Sequence, residues 1–529
     1  MEGVVEVRGG RIQGVRRGGV WSFSGIPYAG PPTGRDRWRP PTPPAPWTGA
    51  RMCDRFGPTA PQAPAFVEAA LGGEPEVHDE ECLFLNVWTP ELDGRRRPVM
   101  VWVHGGSFVS GSGSSLLYRG GMLAREGDVV VVTFNYRLGL LGFLAHPALA
   151  DDAGSEAADA PTAGFGNWGL ADQIAALRWV QDHISDFGGD PGSVTLFGES
   201  AGGMGVATLL AVPAARGLVH RAIVESGPPY TLTAEEATTR AEKIAAHLGV
   251  PMTRAALEAV PATDLVRAVT EFGAAGAEDD PGLLVMPVID GGLLPFAPLE
   301  SVAAGSASDV PLLIGTTRDE SSFFALGSPA LSTLDSDGLR RWLRRLSDDD
   351  SEIDEMTAAL LAARSGRSEA VAPRDLWVAA ATEYVFRLPS IRFADAHAAA
   401  ARPGAGTFCY LFTWETPAFG GVLGACHVID VPFVFGSVHN PTVQLFSGGG
   451  EEAFAFSAAV RAAWTSFARS GVPEGDAGVW RNWDPAKRPT TVLGPWPGGD
   501  GFIHQVARPR DEELEATARL VAQGLHPPL

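Results

Sequence analysis

The sequence predicts an α/β fold in which helices flank an open, mostly parallel sheet, and three observations predict it. Short β-branched runs recur along the chain, helical periodicity falls between several of them, and one run leads straight into a glycine-bounded turn with a helix-forming stretch behind it. The runs are PVMVWV (98–103), VVVVTF (129–134), SVTLF (193–197), RAIVE (221–225) and VPLLIG (310–315). Apolar segments of this length suit strands buried on both faces. The stretch GLADQIAALRWVQDHI, from Gly169, puts Leu170, Ile174, Leu177 and Val180 on one helical face. Residues 335–363 read as two helices joined by an acidic turn, a candidate lid or cap, whereas the Gly- and Pro-rich stretches 28–50 and 270–287 read as surface loops. There is no internal repeat or low-complexity linker, so residues 1–529 are expected to form a single domain with no firm internal boundary.

Composition narrows the function classes. A chain with 45% apolar and 19% charged residues can bury a sizeable core and does not resemble a disordered one. Its net charge of −21 argues against nucleic-acid binding, which needs a surplus of Lys and Arg to neutralise phosphates. The N-terminus MEGVVEVRGG has no apolar stretch after a basic start, and no window approaches the roughly 18 continuous apolar residues of a membrane helix. With Met1 as the native start, a cytoplasmic protein without a membrane anchor is expected. Cys53, Cys82, Cys409 and Cys426 are scattered without CxxC spacing, so reduced, packed thiols are expected rather than a zinc site.

The glycine-bounded turn is GESAG, Gly198 to Gly202, between the run SVTLF and the helix-forming AGGMGVATLL. A serine on a strained strand-to-helix turn needs neighbours without side chains, and Gly-x-Ser-x-Gly in this setting presents Ser200 as a nucleophile at the C-terminal edge of the sheet. Ser226, in VESG after another strand, lacks the preceding Gly-x and reads as a packed, hydrogen-bonded serine nearby. HGGSF, His104 to Phe108, follows the strand VMVWV at the place where the α/β-hydrolase arrangement puts its oxyanion loop. Acyl transfer develops a negative oxygen, and backbone N–H groups of Gly106, Ser107 and Ala201 are assigned to receive it. His104 reads as a residue shaping that loop. The acid and base of such a site follow the serine in the order Asp/Glu, then His. Asp319 or Glu320, just past VPLLIG, can supply the acid, and His397, His427, His439, His504 and His526 follow it.

Together FSGIPYAGPPTGRDRW, DEECLFLNVW, HGGSF, NYRLGLLGFL, GNWGLADQ, DFGGDPGSVTLFGESAGG, PVIDG, GTTRDESSFF, GACHVIDVPFVFG and FARSGVP run nearly end to end and in order. The chain thereby resembles the type-B carboxylesterase family, para-nitrobenzyl esterase-like and related to the cholinesterases, with an α/β-hydrolase fold and large helical insertions forming a cap or gorge. The resemblance selects Glu320 as the acid and His427 as the base, with His439 as the alternative base. It implies a serine carboxylesterase that hydrolyses small to medium, largely apolar esters through an acyl-enzyme on Ser200. No metal or organic cofactor is implied; the expected partner is a small-molecule ester, and the expected state a monomer. Phe108, Phe323 and Phe324 are expected to line the pocket with Glu199, a buried acid that tunes the histidine. By resemblance, Arg37 with Glu80 and Arg137 with Asp172 form structural ion pairs, and Asp430 supports the segment holding His427.

The sequence departs from the family pattern in places. Ser321 stands where a glycine usually follows the acid, and Ala60 stands where extracellular relatives carry the cysteine that pairs with the equivalent of Cys82, so free thiols are expected even though Cys53 is near. LGGEPEVHDEEC has no aromatic residue to hold a quaternary ammonium, which disfavours choline esters. Neuroligin-like adhesion modules keep this fold without a working nucleophile, whereas Ser200, Glu320 and His427 are all present here. Amidase or carbamate side activity is compatible with the same triad.

Overall fold

The computed structural model describes residues 3–64, 76–150, 164–276, 283–326, 328–475 and 478–519. Its centre is an eleven-stranded sheet, numbered in chain order β1 (Val15–Arg17), β2 (Val20–Pro27), β3 (Phe84–Thr89), β4 (Arg97–Val103), β5 (Val130–Phe134), β6 (Gly189–Glu199), β7 (Arg221–Glu225), β8 (Leu312–Thr317), β9 (Thr407–Phe412), β10 (Pro489–Leu493) and β11 (Ile503–Ala507). The spatial order is β11-β10-β9-β8-β7-β6-β4-β5-β3-β2-β1. The central block from β10 to β5 is parallel, and the two edges, β11 on one side and β3 to β1 on the other, are antiparallel.

The apolar runs of the sequence become strands because both faces of the sheet are covered. In β4, Val99, Val101 and Val103 join the core on one face while Met100 and Trp102 join the core on the other. The first face is sealed by α1 (Trp168–His183), whose Leu170, Ile174, Leu177 and Val180 are all buried, and the second by a long C-terminal helix through Phe456, Val460, Trp464 and Phe467. Alternate side chains thus find apolar partners on both sides, which is why the strands read as unbroken apolar runs.

The remaining elements that shape the site are α2 (Ala201–Leu209) and five helices of the cap and its surroundings: α3 (Ser321–Leu326), α4 (Ser336–Leu343), α5 (Asp350–Gly366), α6 (Pro373–Thr382) and α7 (Leu388–Ala400). A single π turn, Glu383–Arg387, joins α6 to α7. The C-terminal helix just described is α8 (Glu451–Ser470), and α9 (Asp511–Ala518) follows it. Helices α4, α5, α6 and α9 share a third apolar core, so the two helices expected within 335–363 belong to a cap beside the sheet.

Chain order locates the functional crevice. From β4 the chain moves outward to β5 and then returns to place β6 on the other side of β4. Such a reversal opens a crevice outside the carboxyl ends of the two strands, where HGGSF follows β4 and GESAG spans the end of β6. Three features were not anticipated. TFCYLF forms the inner strand β9, the sheet edges turn antiparallel, and a helix spans Ala262–Gly276 where a loop was expected from residue 270. Residues 277–282 of that expected loop lie outside the described residues. All four cysteines are buried and unpaired.

Candidate active site

Ser200 sits between β6 and α2 with φ 56° and ψ −129°, a conformation that residues with a Cβ rarely adopt. The turn is held from outside: Ser200 N–H donates to the Glu225 carbonyl at 2.9 Å, and its own carbonyl accepts from Met204 N–H at 2.8 Å. The flanking glycines are required by close approach. A Cβ at Gly202 would lie 2.0 Å from the Val103 carbonyl oxygen, and one at Gly198 would lie 2.6 Å from the same atom. The elbow is therefore pressed against the end of β4, beside the oxyanion loop.

That loop contains three successive residues with positive φ: Gly106 (109°), Ser107 (55°) and Phe108 (60°). The Gly106 carbonyl accepts from Val109 N–H at 3.0 Å and Ser110 N–H at 2.9 Å, closing the turn. Among the described residues, the backbone N–H groups of Gly106, Ser107 and Ala201 have no acceptor. A Cβ at Gly105 would lie 3.1 Å from Ser200 Cβ and 3.1 Å from Glu199 Oε2, so loop, nucleophile strand and carboxylate meet at one point. His104 is completely buried, stacks on Tyr136 at 4.4 Å and has its pKa lowered to about 4 by burial, so it is a neutral packing residue as expected.

The structure brings Glu320 and His427 together. His427 Nδ1 lies 2.6 Å from Glu320 Oε2, and the other carboxylate oxygen accepts from Ser226 Oγ at 2.5 Å and Thr317 N–H at 2.7 Å. Ser226 is the packed serine anticipated from sequence, supporting the acid. Asp319, the alternative acid, instead stitches the two loops: its N–H donates to the Ala425 carbonyl and its Oδ2 accepts from Ala425 N–H, each at 2.9 Å. Arg318 holds that carboxylate at 2.7 Å. The serine at position 321 is absorbed by a bond from its N–H to Thr382 Oγ1 at 3.1 Å. His439, the alternative base, is exposed and stacks on Phe454 away from the site.

His427 Nε2 lies 3.2 Å from Glu199 Oε1, and among the described residues no hydrogen bond joins it to Ser200 Oγ. Catalytic contacts in unliganded enzymes are often long and tighten when substrate binds. Burial alone would lower the pKa of His427, but Glu199 and Glu320 outweigh it and raise the value to about 9. Glu199 is buried enough that its carboxyl is pushed up to about 8, with His427 as the main opposing influence.

An aromatic box surrounds the imidazole. The rings of Phe386, Phe324 and Phe323 lie 5.0, 5.1 and 6.3 Å from it, and Phe324 stays 40% exposed at the opening. Phe386 was missed from the sequence because it reaches the site from the π turn, and nothing in EYVFRLPS marks a distant histidine contact. The ring of Phe108, expected along the pocket, is fully buried and packs on Phe143 at 4.8 Å. The ion pairs lie where expected. Arg37 grips Glu80 through two 2.5 Å contacts, and Arg137 grips Asp172 through two of 2.7 Å.

The sheet order and the elbow at its switch point define an α/β-hydrolase. A model of the Carboxylesterase family matches residues 1–495. The para-nitrobenzyl esterase of Bacillus subtilis (strain 168) is 36% identical over 494 residues, covering 93% of this chain and 94% of that one. The phenmedipham hydrolase of Pseudarthrobacter oxydans is 36% identical over 492 residues, 89% and 91% of the two chains. A solved thermophilic pNB esterase superposes with a TM-score of 0.82 at 35% identity, covering 98% of this chain and all of the other. The crystal structure of a Geobacillus stearothermophilus carboxylesterase gives 0.81 at 36% identity, covering 97% and 100%. The chain belongs to the carboxylesterase family and is a hydrolase of carboxylic ester bonds. Among the described residues no helix is long and apolar enough to cross a membrane.

Proposed function

We propose that the chain is a serine carboxylesterase acting on small to medium, largely apolar esters, with Ser200 as nucleophile, His427 as general base and acid, and Glu320 orienting the imidazole. The observation that carries this reading is the meeting of the 2.6 Å Glu320–His427 contact, the strained Ser200 turn and three N–H groups without an acceptor among the described residues at one crevice. In the forward step His427 Nε2 takes the Ser200 proton as Oγ attacks the ester carbonyl, and the resulting oxyanion is received by Gly106, Ser107 and Ala201. The proton then passes to the departing alcohol. Water activated by the same imidazole releases the acid from the acyl-enzyme, while Glu320 holds Nδ1 protonated and stabilises the imidazolium.

Phe323, Phe324 and Phe386 favour apolar acyl or aryl groups near the base. Four buried, unpaired cysteines fit a reducing compartment, and we assign the protein to the cytoplasm as a monomer whose partner is its small ester substrate. The test is labelling with an organophosphate followed by peptide mapping. Modification confined to Ser200 is expected, and modification elsewhere overturns the assignment. Hydrolysis of para-nitrophenyl esters of increasing acyl length, compared with matching anilides, sets the substrate limit.

A further inference from the structure

Behind the imidazole lie four buried carboxyls on four separate segments: Glu199 ends β6, Glu225 ends β7, Glu320 follows β8, and Asp430 follows His427 by three residues. Among the described residues no Arg or Lys pairs with any of them, and the contacting base is His427 itself, at Glu199 and Glu320. Four carboxylates against one imidazolium would leave an excess of about three negative charges out of water, a cost that is relieved by retaining protons.

Two of these groups are joined through an aromatic pair. Trp464 Nε1–H donates to Glu225 Oε1 at 2.7 Å, Tyr410 O–H donates to Asp430 Oδ2 at 3.1 Å, and the two rings pack at 5.3 Å. Each carboxyl therefore has one oxygen satisfied. The other oxygen of each, Glu225 Oε2 and Asp430 Oδ1, is fully buried with no protein partner among the described residues. Two ionised carboxylates would leave both oxygens as desolvated charged acceptors without a donor, whereas a proton retained on one of the two carboxyls removes one of those buried charges. The pair also touches both halves of the site. The Glu225 carbonyl accepts from Ser200 N–H, Glu225 stands beside Glu199 in the β6–β7 register, and Asp430 lies on the turn that begins at His427.

We propose that Glu225 and Asp430 retain one proton between them, so that the pair carries a single negative charge and sets through Asp430 how basic His427 is. This rests on the reading of His427 as the base, and both residues act as positioning residues that do not touch substrate. Other groups facing the pair are Glu199 from β6, Glu320 from the loop after β8, Tyr410 from β9 and Trp464 from α8. Burial raises both carboxyls, Asp430 to about 7 and Glu225 well above the ordinary carboxylate range, in keeping with a retained proton. The proton stays within the pair through the reaction cycle, and no co-reactant is needed.

The test combines infrared spectroscopy of the whole protein at neutral pH with the pH dependence of kcat/KM. The parent-minus-variant difference spectrum of Glu225→Gln should show the loss of a protonated-carboxyl band. Asp430→Asn removes the neighbouring charge and should move the acid limb of kcat/KM down by about one pH unit, while Glu225→Gln, a neutral donor in the same place, should move it by less than about 0.3. If Glu225→Gln moves the limb as far as Asp430→Asn, or its difference spectrum lacks the band, the shared proton is wrong. Should Glu225→Gln fail to fold, Asp430→Asn reports on the same proton: the Glu225 band should change frequency, and an unchanged band overturns the proposal. The infrared result does not depend on turnover, so recording it in Ser200→Ala separates failure of this inference from failure of the proposed mechanism.

Discussion

Two buried charge clusters in this chain follow opposite rules. In the cap, Glu369, Glu383 and Glu513 each meet guanidinium groups. Arg510 reaches Glu369 at 2.6 Å and Glu513 at 2.8 Å, Arg367 adds a 2.6 Å contact to Glu513, and Arg387 pairs with Glu383 at 3.0 Å. Behind Ser200, four carboxyls share one imidazole. Burial acts on Glu369 as it does on Glu199, but Arg510 and Arg367 outweigh it and lower Glu369 to about 2, whereas Glu199 rises to about 8. Charges that hold helices together are neutralised in place, while the carboxyls around the proposed base have no cationic partner but its imidazole among the described residues, and burial raises Glu199, Glu225 and Asp430 instead.

The comparison can be broken first at its functional half. Ser200→Ala should lower kcat on para-nitrophenyl esters by about 10⁴-fold or more with an unchanged fold, and parent-like turnover would remove the reason to treat the acid-rich cluster as catalytic. The structural half is tested by Arg510→Met, which removes the guanidinium bridging Glu369 and Glu513 while Arg367 stays on both, and should cost about 1.5–3 kcal/mol in denaturant unfolding. A loss below about 1 kcal/mol would mean that the cap network does not hold its helices.

Glu199→Gln sharpens the contrast. Removing the first carboxylate that raises His427 should move the acid limb of kcat/KM to lower pH by about one unit, because the base then releases its proton earlier. The same group has an opposite signature in stability. Glu199 keeps its proton in the fold up to about 8 while the unfolded chain ionises near the ordinary value of 4.5, so its contribution is full below 4.5 and declines as pH rises toward 8. Glu369, held down to about 2, contributes above 4.5 and loses that contribution as pH falls toward 2. The melting temperature of Glu199→Gln relative to the parent should therefore improve between pH 5 and pH 8; a constant difference would contradict the buried, protonated acid. The smallest effect is expected for Phe386→Leu, about three-fold in kcat/KM for aryl esters, roughly the 0.5–1.5 kcal/mol of an aromatic contact.

What was legible in the sequence was what is local. SVTLFGESAGG writes strand, turn and helix into eleven consecutive residues, and HGGSF marks a glycine-rich loop directly after its strand. The acid and base were narrowed by chain order to two carboxyls and five histidines, and resemblance then selected Glu320 and His427. Their contact, spanning 107 positions, became visible only in the fold. The strand TFCYLF escaped because a short apolar run has no period that separates strand from buried helix. Phe386 and Glu225 escaped for a related reason: one arrives from the π turn and the other ends an ordinary strand, so neither role is written in neighbouring residues. The packing of Phe108 against Phe143 escaped as well, because the sign of φ at residue 108 is not written in the spacing of the motif.

The reciprocal bonds between Asp319 and Ala425 have a further consequence. They fasten the acid loop to the base loop through main chain and carboxylate, so the two remain joined when the ring between them is removed. In His427→Ala the walls formed by Glu320, Glu199, Phe324 and Phe386 would still enclose a flat void with an acceptor at each end, a receptor into which free imidazole from solution can dock and restore the lost proton carrier.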